Sequence, residues 1–104
     1  PWNLPRYQIT QHDGEFFVDD DRLVFYHFHS LAQLAERWCE QWSNKYHLPR
    51  QATSLIYPPY LASLRRAQSY TQSSTPDFRI DYSYRGPRSL LQSLLAGRLA
   101  YLYG

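Results

Sequence analysis

The most informative part of the chain is RLVFYHFH, residues 22–29. It is rich in β-branched and aromatic residues, and side chains that alternate along a strand would make both of its faces apolar. A strand of this kind is typically covered on both sides. The alternation places His27 and His29 on one face and Phe28 on the other. We therefore expect a well-covered strand that ends in two neighbouring imidazoles.

Two turn signals precede this strand and predict an antiparallel sheet. The pair Asp13-Gly14 suits a tight hairpin. Three consecutive carboxylates, Asp19–Asp21, come just before residues 22–29. They resemble an acidic metal-binding cluster, but aspartate is also favoured in turns because its side chain bonds nearby backbone groups. We interpret Asp19–Asp21 as a turn and expect a small antiparallel hairpin or sheet over about residues 6–29.

The apolar period changes after residue 29 and predicts helices. Apolar residues then recur at steps of three and four, with Ser30 as a plausible N-cap; they are Leu31, Leu34, Ala35, Trp38 and Trp42. Further helical patterns cover residues 52–56 and 59–67, around Pro58-Pro59. A last helix starts at Gly86-Pro87, with leucines over residues 90–102 on its buried side.

These patterns predict an α+β fold, either a single domain over residues 1–104 or a C-terminal fragment. Residues 1–29 form the β portion and residues 30–68 the helical portion. Residues 70–77 are polar and linker-like. Residues 78–104 contain a short strand or extended arm and the C-terminal helix.

Composition excludes several classes of protein. The 104 residues suffice for about one small domain, and 43% hydrophobic with 19% charged residues does not fit simple disorder. No apolar run is long enough to span a bilayer. The single cysteine, Cys39, cannot form an internal disulfide, which favours a cytoplasmic location. The chain contains no methionine, so we expect a processed chain or a piece of a longer one.

Charge is distributed unevenly along the chain. Residues 1–40 carry seven acidic and three basic residues, a net charge of −4, whereas residues 41–104 carry two acidic and eight basic residues, a net charge of +6. The second half is therefore the part suited to phosphate or an anionic surface. Tyrosines and arginines also alternate there, as they do in proteins that bind single-stranded nucleic acid; they include Tyr57, Tyr60, Tyr70, Tyr82, Tyr84, Arg65, Arg66, Arg79, Arg85 and Arg88.

The two histidines are the residues with the clearest chemical potential. Side chains at i and i+2 of a strand point the same way, so His27 and His29 can reach one divalent ion, or one can bind metal while the other meets substrate. A core histidine is the alternative interpretation. A helix beginning at Ser30 would add backbone N–H groups suited to phosphate.

Four stretches carry a resemblance to a known family: WNL (residues 2–4), the Asp13-Gly14 hairpin, LVFYHFH (residues 23–29) and LIYPPYL (residues 55–61). Over residues 1–68 the chain resembles the C-terminal part of bacterial nucleotide-diphospho-sugar transferases of the GT-A class. The resemblance implies a fragment of a larger α/β fold whose nucleotide-binding domain lies upstream. It also implies transfer of a sugar from a nucleotide-diphosphate donor to an acceptor.

The resemblance also implies roles for individual residues. His27 matches the histidine of the family's His-Phe-x-Gly motif, which helps bind the divalent cation, Mn²⁺ or Mg²⁺, on the donor diphosphate. Trp2 and Asn3 match a segment near the donor sugar or acceptor, with His29 as a further substrate-binding candidate. Ser30 stands where the family usually has glycine. The family's Asp-x-Asp motif lies upstream, so we expect these residues to complete a metal site and not to catalyse transfer alone.

Two other classes of function remain open. The aromatic and basic residues could bind single-stranded nucleic acid or an anionic surface, although no recognised motif of that class is present and we expect no nucleic-acid partner. Alternatively, Trp38, Trp42 and the leucines of residues 90–102 could dock on an absent domain or on a membrane surface, making the chain an interaction module. A peripheral association with the inner membrane is therefore an expectation beside the cytoplasmic one.

Overall fold

The computed structural model describes residues 4–45 and 47–103. These residues begin with a 3-10 turn (Leu4–Arg6) and form six β-strands and three α-helices. The strands are β1 (Ile9–His12), β2 (Glu15–Val18), β3 (Asp21–Arg22), β4 (Ala32–Ala35), β5 (Trp38–Glu40) and β6 (Leu99–Tyr101). The helices are α1 (Arg50–Leu55), α2 (Tyr57–Ser74) and α3 (Pro87–Leu95). Two antiparallel sheets with separate helices confirm the predicted α+β class.

The first sheet, in the order β1-β2-β3, contains the hairpin that the sequence predicts. His12 pairs with Glu15 across a two-residue turn. The turn residues Asp13 and Gly14 have φ values of 51° and 78°. Positive φ at both positions is the requirement of a type I′ turn, which an Asp-Gly pair adopts readily.

The acidic cluster Asp19–Asp21 forms the second turn, as predicted. Asp19 has a φ of 54°, and its N–H donates to the carbonyl of Gln8 at 2.8 Å. Its carboxylate accepts the N–H of Gln8 at 2.9 Å. Asp21 is already the first residue of β3 and pairs with Val18. Local hydrogen bonding of this kind accounts for an aspartate at position 19.

The prediction of a strand over residues 22–29 is wrong beyond Arg22. Leu23 donates its N–H to the carbonyl of Phe16 at 2.7 Å, and residues 23–28 then leave the sheet without regular structure. The chain crosses instead to α2, because two of its aromatic rings pack there. The predicted alternation of side chains is nevertheless present over residues 25–29, where three side chains are exposed and two are half-buried. The exposed ones are Phe25, His27 and His29; the half-buried ones are Tyr26 and Phe28.

The prediction of a helix that begins at Ser30 is also wrong, because the chain forms β4 and β5 there. Ser30 has a φ of 63°, a left-handed conformation that an N-cap does not adopt. The other edge of β5 pairs with β6, where Cys39 lies opposite Ala100. The register of the two strands is irregular between Gln33 and Ala35, and Ala35 and Trp38 are exposed, so the predicted apolar stripe does not form one buried face. Pairing with a strand from the far end of the chain thus overrides the local pattern.

The helices at residues 52–56 and 59–67 are confirmed in outline as α1 and α2, with two prolines in the first turn of α2. The linker predicted at residues 70–77 is wrong in its first half, since α2 continues to Ser74. The hydroxyl of Thr71 donates to the carbonyl of Ala67 at 2.9 Å, so this polar side chain is satisfied within the helix. Residues 78–86, where a short strand or an extended arm is predicted, form neither helix nor strand. In the described ranges, no helix is long and apolar enough to cross a bilayer.

The last helix ends earlier than predicted. Gly97 has a φ of 70°, and its N–H donates to the carbonyl of Leu94 at 3.1 Å, while Arg98 donates to Ser93 at 2.9 Å. This pair of bonds is a Schellman motif, which ends a helix at glycine. Leu99 consequently enters β6. The expected leucines that lie on α3 are exposed instead, Leu91 by 56% and Leu94 by 59%, whereas Leu102, beyond the helix, is buried.

The main core lies between the first sheet and the helices α1 and α2. Tyr57 is fully buried at its centre, in contact with a cluster that includes Ile9, Trp42 and Ala52. A smaller cluster joins the second sheet to α2; it contains Cys39, Leu61 and Leu102. The segment that carries His27 passes over the first of these clusters.

Candidate functional site

Residues 23–31, here called the histidine segment, lie against α2 through aromatic rings. Phe28 stacks on Tyr60 with ring centroids 3.9 Å apart and planes at 16°. It also meets Tyr57 edge to face at 5.1 Å, and Tyr26 meets the same ring at 5.9 Å. Each such pair contributes about 0.5–1.5 kcal/mol beyond the burial of its area. These contacts fix the backbone on both sides of His27.

The hydroxyl groups of Tyr26 and Tyr57 lie 3.3 Å apart and form a hydrogen bond. Burial raises the pKa of Tyr26, partly opposed by this bond, and burial raises the pKa of Tyr57 far above its usual range. Both groups are therefore neutral phenols near neutral pH. They hold the histidine segment in place, and as neutral phenols they do not act as bases.

The side chains of His27 and His29 are exposed to solvent. Their ring centroids are 5.3 Å apart, with the planes at 83°. A metal–nitrogen bond of about 2.1 Å, together with the size of the ring, places a ligand's ring centroid about 3 Å from the ion. Centroids 5.3 Å apart are therefore within the span of two imidazoles on one ion. The pair fits part of a coordination shell.

A metal ion needs more ligands than these two histidines supply. In residues 4–45 and 47–103, no group of three or more His, Cys, Asp or Glu side chains is placed to hold one. In the acidic cluster Asp19–Asp21, the carboxylate of Asp19 accepts the N–H of Gln8 within the turn. Any oxygen ligands required by Mn²⁺ or Mg²⁺ would have to come from a donor diphosphate or another polypeptide segment.

A groove of about 330 Å³ borders His27. Its walls are largely apolar and aromatic, with Tyr7, Leu23 and Phe25 among them. Phe25 is 79% exposed, so it offers an aromatic face to whatever occupies the groove. A single imidazole at the rim of an apolar groove suits a ligand with one polar and one apolar end.

The histidine segment ends in a tight turn at residues 28–31. Leu31 donates its N–H to the carbonyl of Phe28 at 3.3 Å, and His29 donates to the carbonyl of His27 at 2.9 Å. Ser30, the third residue of the turn, has a φ of 63°. This conformation favours glycine, which is the residue that the resembling family usually has at this position.

Two predicted substrate-binding residues, Trp2 and Asn3, lie outside the described residues. The structure therefore brings together only His27 and His29 from the set named on sequence grounds. The prediction that they share one face agrees with their exposure, although the strand that was expected to carry them is absent.

Three residues of the nucleic-acid alternative, Tyr57, Tyr60 and Arg65, are used for packing. Tyr57 is buried in the core and Tyr60 is covered by Phe28, so neither can stack on a base. The side chain of Arg65 is only 8% exposed and lies 3.4 Å from a carboxylate oxygen of Glu36. Its Nε and Nη1 atoms have no hydrogen-bond partner among the described residues. Tyr70, Tyr82 and Tyr84 are exposed, however, so the nucleic-acid alternative stays a prediction.

Sequence reasoning missed a polar network between the second sheet and α3. The side chain of Glu40 is 6% exposed, and its Oε2 accepts a hydrogen bond from the hydroxyl of Ser93 at 2.6 Å. Arg85 lies 3.5 Å from the other oxygen, Oε1. Arg98 donates to Ser93 at 3.2 Å. Positions so far apart in sequence give no local signal, although a glutamate between Cys39 and Trp42 is itself unusual in an apolar run.

The chain is similar to the uncharacterized protein YfnD of Bacillus subtilis (strain 168), with 35% identity over 79 residues. The match covers 74% of this chain and 25% of YfnD. The chain therefore spans about a quarter of the length of this relative. No protein-family model matches the chain. No solved structure matches it either.

Proposed function

We propose that the chain is the C-terminal portion of a metal-dependent glycosyltransferase that takes its sugar from a nucleotide-diphosphate donor. In this role His27 contributes one ligand to the divalent cation that neutralises the diphosphate. The observation that carries the proposal is the outward position of His27 beside His29, with ring centroids 5.3 Å apart. A core histidine, the main alternative, would be buried.

The turn after His27 adds support. The family pattern has glycine where this chain has Ser30, and Ser30 adopts the left-handed φ of 63° that glycine accepts most easily. The backbone conformation thus fits the family pattern despite the different side chain.

The chemistry of imidazole bears on the choice of cation. Mg²⁺ strongly prefers oxygen ligands, whereas imidazole is common on transition metals. Of the two cations expected, Mn²⁺ therefore suits a site containing His27 better. When bound, such a cation stabilises the negative charge that develops on a departing diphosphate.

In this proposal the chain supplies only some of the ligands of the cation. The side chain of His27 is exposed, and Tyr26 and Phe28 hold the backbone on either side of it by packing on α2. Because two imidazoles do not complete a shell, we propose that further ligands and the nucleotide-binding domain belong to other parts of a longer protein. The donor sugar and the acceptor would bind mainly to those parts, and the isolated chain would not be active.

Titration of the chain with Mn²⁺, followed by NMR, tests the metal role directly. We expect paramagnetic broadening of the imidazole signals of His27 and His29 at Mn²⁺ concentrations that leave His12 sharp. His12 is an exposed histidine on the hairpin and serves as the internal control. His27→Ala should remove the selective broadening at His29, whereas His12→Ala should not. Equal broadening of all histidines would contradict the proposal.

In the full-length protein, His27→Ala should lower metal-dependent donor turnover by about 10²-fold, the usual effect of losing one group that stabilises developing charge. The fold should be unchanged, because the side chain is exposed. His12→Ala is again the matched control. Unchanged turnover in His27→Ala would refute the assignment.

A further inference from the structure

A second groove, of about 350 Å³, lies between the loop that follows β5 and the end of α3. It is here called the basic groove. Its polar lining comes from Asn44, Lys45, His47 and Arg98, and its apolar side from Trp42 and Leu48. The lining contains no carboxylate. The basic groove is therefore the place where part of the positive charge of the second half of the chain is concentrated.

Arg98 is held in a fixed position at this groove. Its Nη2 donates to the hydroxyl of Ser93 at 3.2 Å, and its backbone N–H donates to the Ser93 carbonyl at 2.9 Å. Its own carbonyl accepts the N–H of Gln41 at 2.8 Å. A guanidinium anchored in this way loses little conformational freedom on binding a ligand.

One donor of Arg98 has no acceptor. The Nε atom is buried and makes no hydrogen bond to any described residue. An unsatisfied buried donor on a charged group is costly. Because this atom is buried, a ligand in the groove would not contact it directly, but a phosphate nearby would compensate the positive charge of Arg98.

The charge at the basic groove is not neutralised from within the protein. Glu40 is the acidic residue behind it, but its carboxylate is engaged by Ser93 at 2.6 Å and by Arg85 at 3.5 Å. Among the described residues, neither Lys45 nor Arg98 has a carboxylate oxygen within ion-pair distance. Two cations therefore face the groove without a counter-charge.

We propose that the basic groove binds the phosphate group of a phosphorylated small molecule. Arg98 and Lys45 would contact the phosphate oxygens, since a doubly charged phosphate matches two cations better than a single carboxylate does. Trp42 and Leu48 would face the organic part of the molecule. A volume of 350 Å³ exceeds the needs of phosphate alone and is within the range of small-molecule sites. Binding here is independent of His27 and of any metal ion.

The test is a titration of the chain with inorganic phosphate, a hexose 1-phosphate and a nucleoside diphosphate, each in EDTA so that no metal contributes. Two-dimensional ¹⁵N NMR follows the backbone signals of Asn44, Lys45 and Arg98 and the Nε–H signal of Arg98. We expect a downfield shift of that Nε–H signal with all three probes. Tighter binding of the hexose phosphate or of the diphosphate identifies which of the two classes supplies the phosphate.

Lys45→Gln should weaken binding about tenfold, the typical effect of one charge-assisted hydrogen bond. Arg88→Gln removes the same charge from an exposed position on α3 and should change affinity less than about twofold. His27→Ala should have no effect, which separates this site from the proposed metal site. Equal losses in Lys45→Gln and Arg88→Gln, or no shift of the Arg98 Nε–H signal, would overturn the assignment. Arg98→Lys, which keeps the charge but lacks Nε, should also weaken binding.

Discussion

Ser30 has a backbone conformation that the surrounding turn imposes on it. Its φ of 63° is unusual for a residue with a Cβ, and it is imposed by the turn that connects Phe28 to Leu31. Glycine would adopt the conformation without the steric cost. The conformation of this turn is therefore determined by the packing of the residues on either side of the turn, and not by the conformational preference of serine.

We expect Ser30→Gly to raise the free energy of unfolding by up to about 1 kcal/mol. Relief of the left-handed conformation contributes about 1–2 kcal/mol, and the greater freedom of glycine in the unfolded chain offsets part of it. Urea denaturation measures the difference. Ser83→Gly, at a serine without positive φ, should give no gain. A loss of stability in Ser30→Gly would show that the serine side chain is needed.

Cys39 gives a pH dependence whose sign follows from its burial. Burial raises the pKa of its thiol from 9.0 to about 11. Below pH 9 both the folded and the unfolded chain hold the proton, so the stabilisation is complete. Between pH 9 and 11 only the unfolded chain loses it, and stability falls as the pH rises.

We expect the free energy of unfolding to decrease by up to about 2 kcal/mol over that interval. Cys39→Ala should flatten the decrease most clearly near pH 9, below the ordinary tyrosine pKa of 10.0 at which Tyr57 ionises in the unfolded chain. Urea denaturation at several pH values measures both chains. Parallel curves for the two would exclude Cys39 as the source. The native thiol should also resist alkylation at pH 8, since its thiolate fraction is about one in a thousand.

At the scale of elements, the histidine segment depends on α2. Its rings contact Tyr57 and Tyr60, and no strand holds residues 23–28. Two phenylalanines in this segment have opposite surroundings. Phe28 stacks on Tyr60, whereas Phe25 is 79% exposed.

Phe28→Ala should therefore lower the free energy of unfolding by about 2–3 kcal/mol, somewhat below the cost at a fully buried site. Phe25→Ala, the same change three residues away, should cost less than about 0.5 kcal/mol. Urea denaturation gives both values. Similar losses would mean that Phe25 is covered in solution.

Elements specified by nearby residues are the ones that the sequence predicts well. The β1–β2 hairpin follows from the Asp13-Gly14 turn, and α1 and α2 follow from their apolar spacing and prolines. The prediction of a helix at β4 and β5 is wrong because β6, the partner of β5, lies about 60 residues away along the chain and no local pattern indicates it. The end of α3 could have been predicted, since Gly97 is a typical C-terminal signal.

The two candidate sites also differ in whether nearby residues specify them. The outward position of His27 follows from alternation over a few residues, so it could be predicted. The basic groove could not, because Lys45 and Arg98 come together only when β6 pairs with β5. Because these two residues are far apart in the sequence, no local pattern indicates that they line the same groove in the folded chain.

At the scale of the whole molecule, one apolar surface remains uncovered. A groove of about 450 Å³ lies between β4–β5 and α3, lined by side chains such as Trp38, Leu91 and Leu94. Exposed apolar surfaces of this kind are typical of interaction sites. Docking of this surface on another domain or on a membrane remains a prediction.

We expect the isolated chain to bind a hydrophobic dye such as ANS and to self-associate. Replacing Leu91 and Leu94 together by aspartate should reduce dye fluorescence several-fold, because both side chains are more than half exposed. Gln92→Asp, on the same helix, is the control and should leave dye binding unchanged. Sedimentation velocity measures the association. A monomeric chain that binds no dye would show that the surface is closed in solution.

The position of β6 determines how far the chain can be shortened. β6 covers one edge of β5, and the residue after it, Leu102, fills the smaller core cluster and donates its N–H to the carbonyl of Arg37 at 2.7 Å. Truncation before residue 99 would expose a bare strand edge of the kind that recruits other chains. It would also detach Arg98 from its neighbours. Purification tags and fusion partners should accordingly be attached at the opposite terminus.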